Sequence, residues 1–296
     1  QGHVVGDAIY KQTCPECGAK RIDEQFGLEE TLEEYIEKTV LLFEELRRVL
    51  KPQGTVWWNL GDSYANKSSA WGGRGKNSIL NNTGLKDKQR RNTIVPEGLK
   101  AKDLMMIPAR VAIALSENGW YLRSEIIWHK PNPMPESVKD RPTSAHEKIY
   151  LFAKNKNYYY DADAIREKAK TKPTIRNKSA EGYQADYPNG KRFSEGERTY
   201  GNGYANKRNV WTVTTKPFKG AHFAVFPTDL IEPCIKAGCP KGGTVLDPFG
   251  GSGTTGLVAN NLGRDAILIE LNEEYVEIAK KRIGGDNPLF SEVEDG

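Results

Sequence analysis

Residues 244–256 read TVLDPFGGSGTTG, and this stretch decides the fold. It opens with a short apolar run, typical of a buried strand, and continues into a turn rich in glycine. Residues 257–262 are predicted to form a helix, and a second apolar run at 266–269 ends in Glu270. The order of strand, glycine turn, helix, strand and acid predicts a β-α-β unit with a ligand at the carboxyl ends of its strands.

The spacing of the glycines and the acid indicates the kind of ligand. Gly251, Gly253 and Gly256 match the G-x-G-x-x-G pattern of nucleotide-binding turns. Glu270 follows the first of them by nineteen residues, where a carboxylate can accept hydrogen bonds from both hydroxyls of a ribose. At the start of the helix, Thr254 can help to hold a small anionic group. The pattern predicts a nucleoside cofactor, and its place late in the chain favours S-adenosylmethionine over NAD.

Helices and strands alternate along much of the chain. Thr31 and Glu34 have the spacing of a capping box, which predicts a helix over residues 32–50. Further helices are predicted at 108–118, 230–237 and 273–283, and further strands at 55–60, 121–129 and 148–153. This alternation predicts an α/β fold with a largely parallel sheet.

Charge is unevenly distributed along the 296 residues, whose net charge is +4. Residues 166–219, here called the basic segment, contain thirteen Lys or Arg and five Asp or Glu, with aromatic residues among them. Cations mixed with aromatic rings are typical of a surface that binds nucleic acid, whose phosphates are anionic and whose bases stack. A solvated insertion without a ligand is the alternative. The candidate DNA-binding residues are Lys191, Arg192, Lys207 and Arg208.

The cysteines and apolar runs indicate the compartment. Four Cys are too few for a disulfide scaffold, and no run of eighteen apolar residues is present, so a cytoplasmic protein without a membrane span is predicted. Cys14 and Cys17 form half of a zinc knuckle, whose other ligands would lie elsewhere. Cys234 and Cys239 are predicted to be ordinary packing or surface residues. Residues 66–102, rich in Ser, Asn and Gly, are predicted to form a mobile flap.

Several motifs resemble those of the amino-group DNA methyltransferases. DPFGGSGTT at 247–255 and IELN at 269–272 resemble the cofactor motifs of that family. HFAVFPTDL at 222–230 resembles the segment that closes over the methionine end of the cofactor. The sequences at 43–64 and 127–132 resemble further segments of the same enzymes. Because the cofactor motif follows the catalytic half, the order is similar to that of the β group, which includes restriction-modification methyltransferases.

The resemblance implies a Rossmann-like, S-adenosylmethionine-dependent methyltransferase fold of the α/β class, with the basic segment inserted as a loop-rich target-recognition region. It implies methylation of an exocyclic amine of a flipped base in double-stranded DNA, with cytosine N4 favoured and adenine N6 as the alternative. The amine nitrogen would attack the sulfonium methyl directly, without a covalent enzyme intermediate. The residues implied to line the cofactor are Asp247, Phe249, Gly250, Gly251, Ser252, Gly253, Thr254, Glu270, Asn272, Phe223 and Pro227.

Other functions stay open on the sequence alone. A non-catalytic DNA-binding module could retain the same cofactor fold, and an NAD-dependent oxidoreductase would use the same glycine pattern. A cognate restriction endonuclease and a second copy of the chain are further partners that the resemblance suggests.

The family's catalytic motif, a polar residue followed by Pro-Pro and an aromatic residue, does not occur in residues 1–296. The family's motif order would place it just before Gln1, and we expect it on a segment upstream. A partner chain that supplies the motif and outright loss of the motif are the two alternatives. The catalytic residue is therefore unknown, and Asp62 is not expected to replace it, because its surroundings resemble a different family segment. A chain complete as given is expected to bind the cofactor without transferring the methyl group.

The sequence thus predicts four parts. Residues 1–28 form a leading segment with half of a zinc knuckle, and residues 29–165 form the catalytic-half α/β portion that contains the flap. Residues 166–219 form the target-recognition region, and residues 220–296 form the cofactor-binding portion.

Overall fold

The computed structural model describes residues 26–27, 29, 31–65, 99–170, 174–176, 198–200, 203–215 and 225–286. The chain divides into two compact units, of which the first comprises Gln1–Glu125 and His146–Lys156. The second comprises Ile126–Ala145 and Asn157–Gly296. Several predictions lie outside the described residues, namely those on Cys14, Cys17, residues 66–98, Lys191, Arg192 and Phe223.

The helices and strands are named in chain order. The helices are α1 (Leu32–Val49), α2 (Ile107–Glu117), α3 (Thr228–Gly238), α4 (Thr254–Asn261) and α5 (Glu273–Asp286), with a short 3-10 helix at Asp163–Ile165. The longer strands are β1 (Thr55–Leu60), β2 (Tyr121–His129), β3 (His146–Ala153), β9 (Thr244–Asp247) and β10 (Asp265–Leu268). The short strands are β4 (Glu167–Lys168), β5 (Thr174–Arg176), β6 (Arg198–Tyr200), β7 (Tyr204–Ala205) and β8 (Val210–Thr212). Among the helices that the structure describes, none has both the length and the apolar composition that a bilayer-spanning segment needs.

Helix α1 begins at the capping box that its sequence predicts. The Glu34 amide donates to Thr31 Oγ1 at 3.1 Å, and the Thr31 amide donates to a Glu34 carboxylate oxygen at 3.2 Å. The buried face of the helix carries Phe43, whose ring centroid lies 4.9 Å from that of Trp58 and 5.6 Å from that of Phe152. These edge-on aromatic contacts join α1 to β1 and β3 and form the core of the first unit.

The four-stranded sheet, in the order β1-β3-β2-β8, contains both antiparallel and parallel pairs, so the prediction of a largely parallel sheet is wrong here. Strand β3 lies between β1 and β2 and runs antiparallel to β1, with Thr55 opposite Ala153 and Leu60 opposite Lys148. The reason lies in the connection that precedes β3. Residues 130–145, which connect β2 to β3, contain no helix. A parallel pairing of consecutive strands needs a crossover connection, usually a helix, that returns the chain to the other end of the sheet.

The second unit contains the predicted β-α-β arrangement. Strands β9 and β10 are parallel, with Thr244 opposite Asp265 and Asp247 opposite Leu268, and α4 connects them. Helix α4 begins three residues earlier than predicted, and Gly253, in the left-handed conformation, is its N-cap residue.

A buried arginine, Arg264, forms hydrogen bonds to the C-terminal ends of α3 and α4. The Arg264 guanidinium donates to the Cys239 carbonyl at 2.9 and 3.2 Å and to the Leu262 carbonyl at 2.5 Å. Cys239 and Leu262 are the C-terminal cap residues of α3 and α4. One cation therefore satisfies carbonyl groups at two helix ends, where the helix dipole favours positive charge.

The described parts of the basic segment form short ribbons that no sequence periodicity predicted. Strand β4 pairs antiparallel with β7, and β5 pairs antiparallel with β6. Strand β8 runs parallel to the end of β2, with Val210 opposite Ile127. Strands of two or three residues are too short to show a period of two, so only their partners reveal them.

Candidate functional site

The glycine turn, defined as residues Gly250–Gly253, lies at the carboxyl ends of β9 and β10. The Gly250 amide donates to the Ile269 carbonyl at 2.8 Å, and the Gly253 amide donates to the Gly250 carbonyl at 2.9 Å. The first bond joins the turn to the end of β10, and the second closes the turn on itself. The turn therefore stands at the edge of a parallel strand pair where α/β proteins bind ligands.

Two positions of the turn need glycine for different reasons. Gly253 has a φ of +77°, and a Cβ atom there would lie 2.8 Å from the Cβ of Ala279 in α5. Gly251 has a φ of +49°, and among the described residues a Cβ atom there would meet only the Phe249 carbonyl, at 3.8 Å. Gly253 thus packs closely on α5, whereas Gly251 faces open space through which a ligand can reach the backbone.

Asp247 shapes the turn with both of its carboxylate oxygens. Its Oδ1 accepts a hydrogen bond from the Phe249 amide at 3.0 Å, and its Oδ2 accepts one from the Thr255 hydroxyl at 2.5 Å. The carboxylate thereby joins the end of β9 to the first turn of α4. Within the described chain its role is to position the turn.

Glu270 lies beside the open position of the turn. Its Oε2 accepts a hydrogen bond from the Gly251 amide at 2.8 Å, and its Oε1 accepts one from the Asn272 amide at 2.9 Å. The carboxylate is half-buried and fixed in direction by these two bonds. Asn272 itself caps α5, because its Oδ1 accepts a hydrogen bond from the Glu274 amide at 2.9 Å.

The residues that precede and follow Glu270 in the sequence have exposed apolar side chains. Ile269 is 51% exposed and Leu271 is 90% exposed. Phe249, at the start of the turn, is 46% exposed. A fixed carboxylate between exposed apolar side chains suits a nucleoside, which presents polar ribose hydroxyls and the apolar faces of a base.

Arg282 reaches the glycine turn from α5. Its Nη1 donates to the Thr254 hydroxyl at 2.8 Å, to the Ser252 hydroxyl at 3.1 Å and to the Ser252 carbonyl at 3.3 Å. Ser252 and Thr254 are both buried. Of the other predicted residues, Pro227 is buried and stands immediately before α3.

Two buried tryptophans lie opposite each other where β2 pairs with β8. Trp128 and Trp211 are register partners, and each has a lysine ammonium over its ring. Lys130 Nζ lies 4.2 Å from the Trp128 ring centroid, and Lys207 Nζ lies 5.0 Å from that of Trp211. Such contacts hold each cation in place while its charge stays available to an anion.

Arg208, the neighbour of Lys207, forms an ion pair with Glu167. The nearby carboxylate offsets part of its charge, so a phosphate would have to compete with Glu167 for this guanidinium. Lys207 and Arg208 are therefore unequal candidates for a DNA contact.

The loop after β2, residues 130–145, is joined to the chain that follows β8. The Asn132 side chain donates to the Thr215 carbonyl and accepts from the Thr215 amide, both at 3.1 Å. The Lys130 amide donates to the Ala145 carbonyl at 2.8 Å and closes the base of the loop. The loop is thereby fixed beside the end of the basic segment.

Comparison with known proteins gives the family. Residues 3–281 match the family model N6_N4_Mtase, described as DNA methylase. Type II methyltransferase M.Cfr9I of Citrobacter freundii is 44% identical over 266 residues, covering 90% of this chain and 77% of that protein. The chain belongs to the amino-group DNA methyltransferases.

Solved structures agree with this DNA methyltransferase in fold. The PvuII DNA methyltransferase (cytosine-N4-specific) superposes with a TM-score of 0.57 at 20% identity, covering 92% of this chain and 76% of that one. TTHA0409 of Thermus thermophilus, solved in complex with S-adenosyl-L-methionine, superposes with a TM-score of 0.50 at 22% identity, covering 88% of this chain and 80% of that one. The predicted family, the Rossmann-like fold and the enzyme class are thus confirmed.

Two side chains of this DNA methyltransferase have structural roles. Asp62 Oδ1 accepts hydrogen bonds from the Ser63 amide at 2.9 Å and from the Ile107 amide at 3.1 Å, at the start of α2. Cys234 is buried, and burial raises the pKa of its thiol, which opposes formation of a nucleophilic thiolate. Among the described residues, no three His, Cys, Asp or Glu side chains stand close enough to hold a metal ion.

Sequence reasoning missed Arg282 and Leu271 as residues of the site. Leu271 directly follows Glu270, so an apolar residue next to the carboxylate predicted to bind ribose was an available signal. Arg282 had only a weak signal, since helical spacing places it one turn after Ala279 and nothing local shows what that face contacts.

Proposed function

We propose that the chain binds S-adenosylmethionine at the glycine turn. Together with the Pro-Pro catalytic motif that residues 1–296 do not contain, it would transfer the methyl group to an exocyclic amine of a base in double-stranded DNA, with cytosine N4 as the target. The observation that carries the cofactor assignment is the Glu270 carboxylate, held 2.8 Å from the Gly251 amide beside an open backbone position. Family membership supports DNA as the substrate and methyl transfer as the reaction.

The residues of the turn fit the nucleoside half of this cofactor. Each carboxylate oxygen of Glu270 has two lone pairs, so its two backbone bonds leave acceptor capacity for the ribose hydroxyls. Ile269 and Leu271 would pack against the adenine, which removes their apolar surface from water. The relative TTHA0409, solved with S-adenosyl-L-methionine, supports the same donor for this chain.

The remaining predicted cofactor residues divide into those that shape the turn and those that flank it. Asp247, Ser252, Gly253 and Thr254 would act by holding the backbone of the turn. Phe249, Gly250, Gly251 and Asn272 would border the cofactor, and Phe223 and Pro227 would flank its methionine end, as the family resemblance implies.

When bound, S-adenosylmethionine supplies a methyl group on a sulfonium sulfur, which an amine nitrogen can attack directly. The contribution of this chain is to hold the donor in one orientation by the contacts of Glu270 and the glycine turn. The target base has to leave the DNA stack before its amine can reach the site. Cytosine N4 is favoured over adenine N6 on the overall sequence resemblance to amino-group DNA methyltransferases.

The DNA surface is proposed to include the basic segment. Lys207 is the best-supported described contact, because its ammonium is held over the ring of Trp211. Arg208 would contribute once a phosphate draws it from Glu167. Lys191 and Arg192 complete the proposed set on sequence grounds.

Calorimetric binding and nucleoside analysis test the proposal. The chain is expected to bind S-adenosylhomocysteine and not NAD, whereas binding of NAD alone would overturn the cofactor assignment. The product of the whole gene, with any residues encoded upstream of Gln1, is then incubated with DNA and S-adenosylmethionine. Mass spectrometry of the digested DNA is expected to show N4-methylcytosine. N6-methyladenine would overturn the target base, and DNA binding without any methylated base would favour the non-catalytic module.

Several finer proposals accompany the function. The four-part division at residues 28, 165 and 219 is proposed as the functional organisation, and limited proteolysis tests its boundaries. Cys14 and Cys17 are proposed to bind a structural zinc ion. Elemental analysis is expected to detect zinc in the wild-type protein and none after both cysteines are replaced by Ser. A cytoplasmic location, a cognate restriction endonuclease and a homodimer follow from the family resemblance, and sedimentation analysis tests the last.

A further inference from the structure

One side chain of α5, that of Arg282, forms hydrogen bonds to the glycine turn and to the residue that follows it. Arg282 Nη1 contacts the Thr254 hydroxyl at 2.8 Å, the Ser252 hydroxyl at 3.1 Å and the Ser252 carbonyl at 3.3 Å. Ser252 is 6% exposed and Thr254 is 3% exposed, so water is largely excluded from both. Buried hydroxyl and carbonyl groups need partners, and the two N–H groups of Nη1 are shared among these three oxygens.

These contacts immobilise a specific peptide unit. The Ser252 carbonyl and the Gly253 amide belong to one planar trans peptide, so they point in opposite directions. The carbonyl accepts from Arg282, and the amide donates to the Gly250 carbonyl at 2.9 Å. Because both ends of the unit are bonded, it cannot rotate without breaking two hydrogen bonds.

Gly253 and Gly251 differ in how closely other residues pack on them. Gly253 packs against α5, where a Cβ atom would lie 2.8 Å from Ala279 Cβ and 3.3 Å from Ile283 Cδ1. Gly251 has no such neighbour among the described residues and offers its backbone to open space. Arg282 therefore belongs to the support of the turn and acts on a ligand only through it.

We propose that Arg282 is a positioning residue for the cofactor, which fixes the backbone of the glycine turn through Ser252 and Thr254 and so pre-organises it for S-adenosylmethionine. The proposal rests on the proposed function, since it assigns a role toward the same cofactor. A pre-organised turn loses little conformational freedom when the ligand binds, so its affinity depends on the contacts that hold it. An ammonium on a shorter, more flexible stem would only partly replace the planar guanidinium.

The test compares Arg282→Met with Lys281→Met in the full chain. Lys281 is the adjacent cation and is exposed, so its variant removes the same charge without touching the turn. Arg282→Met is expected to weaken S-adenosylhomocysteine binding, measured by calorimetry, on the order of 10- to 100-fold. Lys281→Met is expected to change it by less than about twofold. Arg282→Lys is expected to fall between the wild type and Arg282→Met.

Two further readouts separate positioning from general stability. In spectra of glycine-labelled protein without ligand, the amide signals of Gly251 and Gly253 are expected to shift in Arg282→Met and not in Lys281→Met. With the whole gene product, KM for S-adenosylmethionine is expected to rise while kcat at saturation stays near the wild-type value. A variant with lower thermal stability but unchanged affinity and unchanged glycine signals would overturn the proposal.

A double-mutant cycle with Thr254→Val tests the route of the effect. If Arg282 acts through the Thr254 hydroxyl, the double variant is expected to bind no more weakly than Arg282→Met alone, whereas fully additive losses would contradict that route. Should Arg282→Met fail to fold, Thr254→Val and Ser252→Ala remove the two hydroxyl contacts one at a time and are expected to weaken binding. Wild-type affinity in both would overturn the proposal. A wild-type chain that binds no S-adenosylhomocysteine would instead overturn the proposed function.

Discussion

Replacement of Glu270 by Gln tests the ribose contact most directly. The carboxylate now accepts hydrogen bonds from the Gly251 and Asn272 amides, and it is proposed to accept more from the ribose hydroxyls. Glutamine keeps one acceptor oxygen, but its amide nitrogen cannot accept, and the negative charge is lost. A hydrogen bond to a charged group contributes about 1.5–3 kcal/mol, so S-adenosylhomocysteine is expected to bind roughly 10- to 150-fold more weakly. Isothermal calorimetry measures this change.

Two controls make the Glu270 result specific. Glu273→Gln removes an equal charge from the exposed first turn of α5 and is expected to alter the affinity by less than about twofold. An analogue of S-adenosylhomocysteine that lacks both ribose hydroxyls is expected to show little difference between the wild type and Glu270→Gln, because the contact is missing in both. Equal binding of the complete ligand by the wild type and Glu270→Gln would refute the reasoning.

Three further predictions follow from other parts of the structure. Arg264→Met is expected to lower the free energy of unfolding by about 2–4 kcal/mol, measured with urea, because the partly buried carbonyls of Cys239 and Leu262 lose a charged donor. Lys207→Gln is expected to weaken DNA binding and to reduce the slope of log affinity against log salt by about one. Burial and the hydrogen bond to Glu125 raise the pKa of Tyr150, so its contribution to stability is present below pH about 10 and is lost as the pH rises further. Tyr150→Phe is expected to lessen this alkaline loss in urea titrations at several pH values.

Each of these predictions has a matched control. Arg48→Met removes an exposed arginine and is expected to cost less than about 0.5 kcal/mol, so an equal loss would contradict the role of Arg264. Lys241→Gln removes an exposed lysine outside the basic segment, and a salt slope reduced as much as by Lys207→Gln would remove the assignment. Tyr121→Phe alters an exposed tyrosine, and its alkaline profile is expected to match the wild type.

Local chemistry explains which elements were predictable. The capping box at Thr31 and Glu34 is complete within four residues, so the start of α1 was predicted correctly. The glycine spacing and Glu270 likewise lie within one β-α-β unit, where the connection itself brings them together. Glycines 251 and 253 could be named as turn residues because positive φ angles exclude most other side chains.

The sequence by itself determined the family, the β-α-β unit and the placing of Glu270 beside the glycine turn, because each depends on residues close together in the chain. Only the tertiary structure decided the antiparallel course of β3, the cap that Arg264 places on two helices and the hold of Arg282 on Ser252 and Thr254. These contacts join residues brought together by packing between elements. The sequence around a long polar side chain does not show which group that side chain will contact. The contact contributes to stability because its partner is buried, and burial is known only from the folded chain.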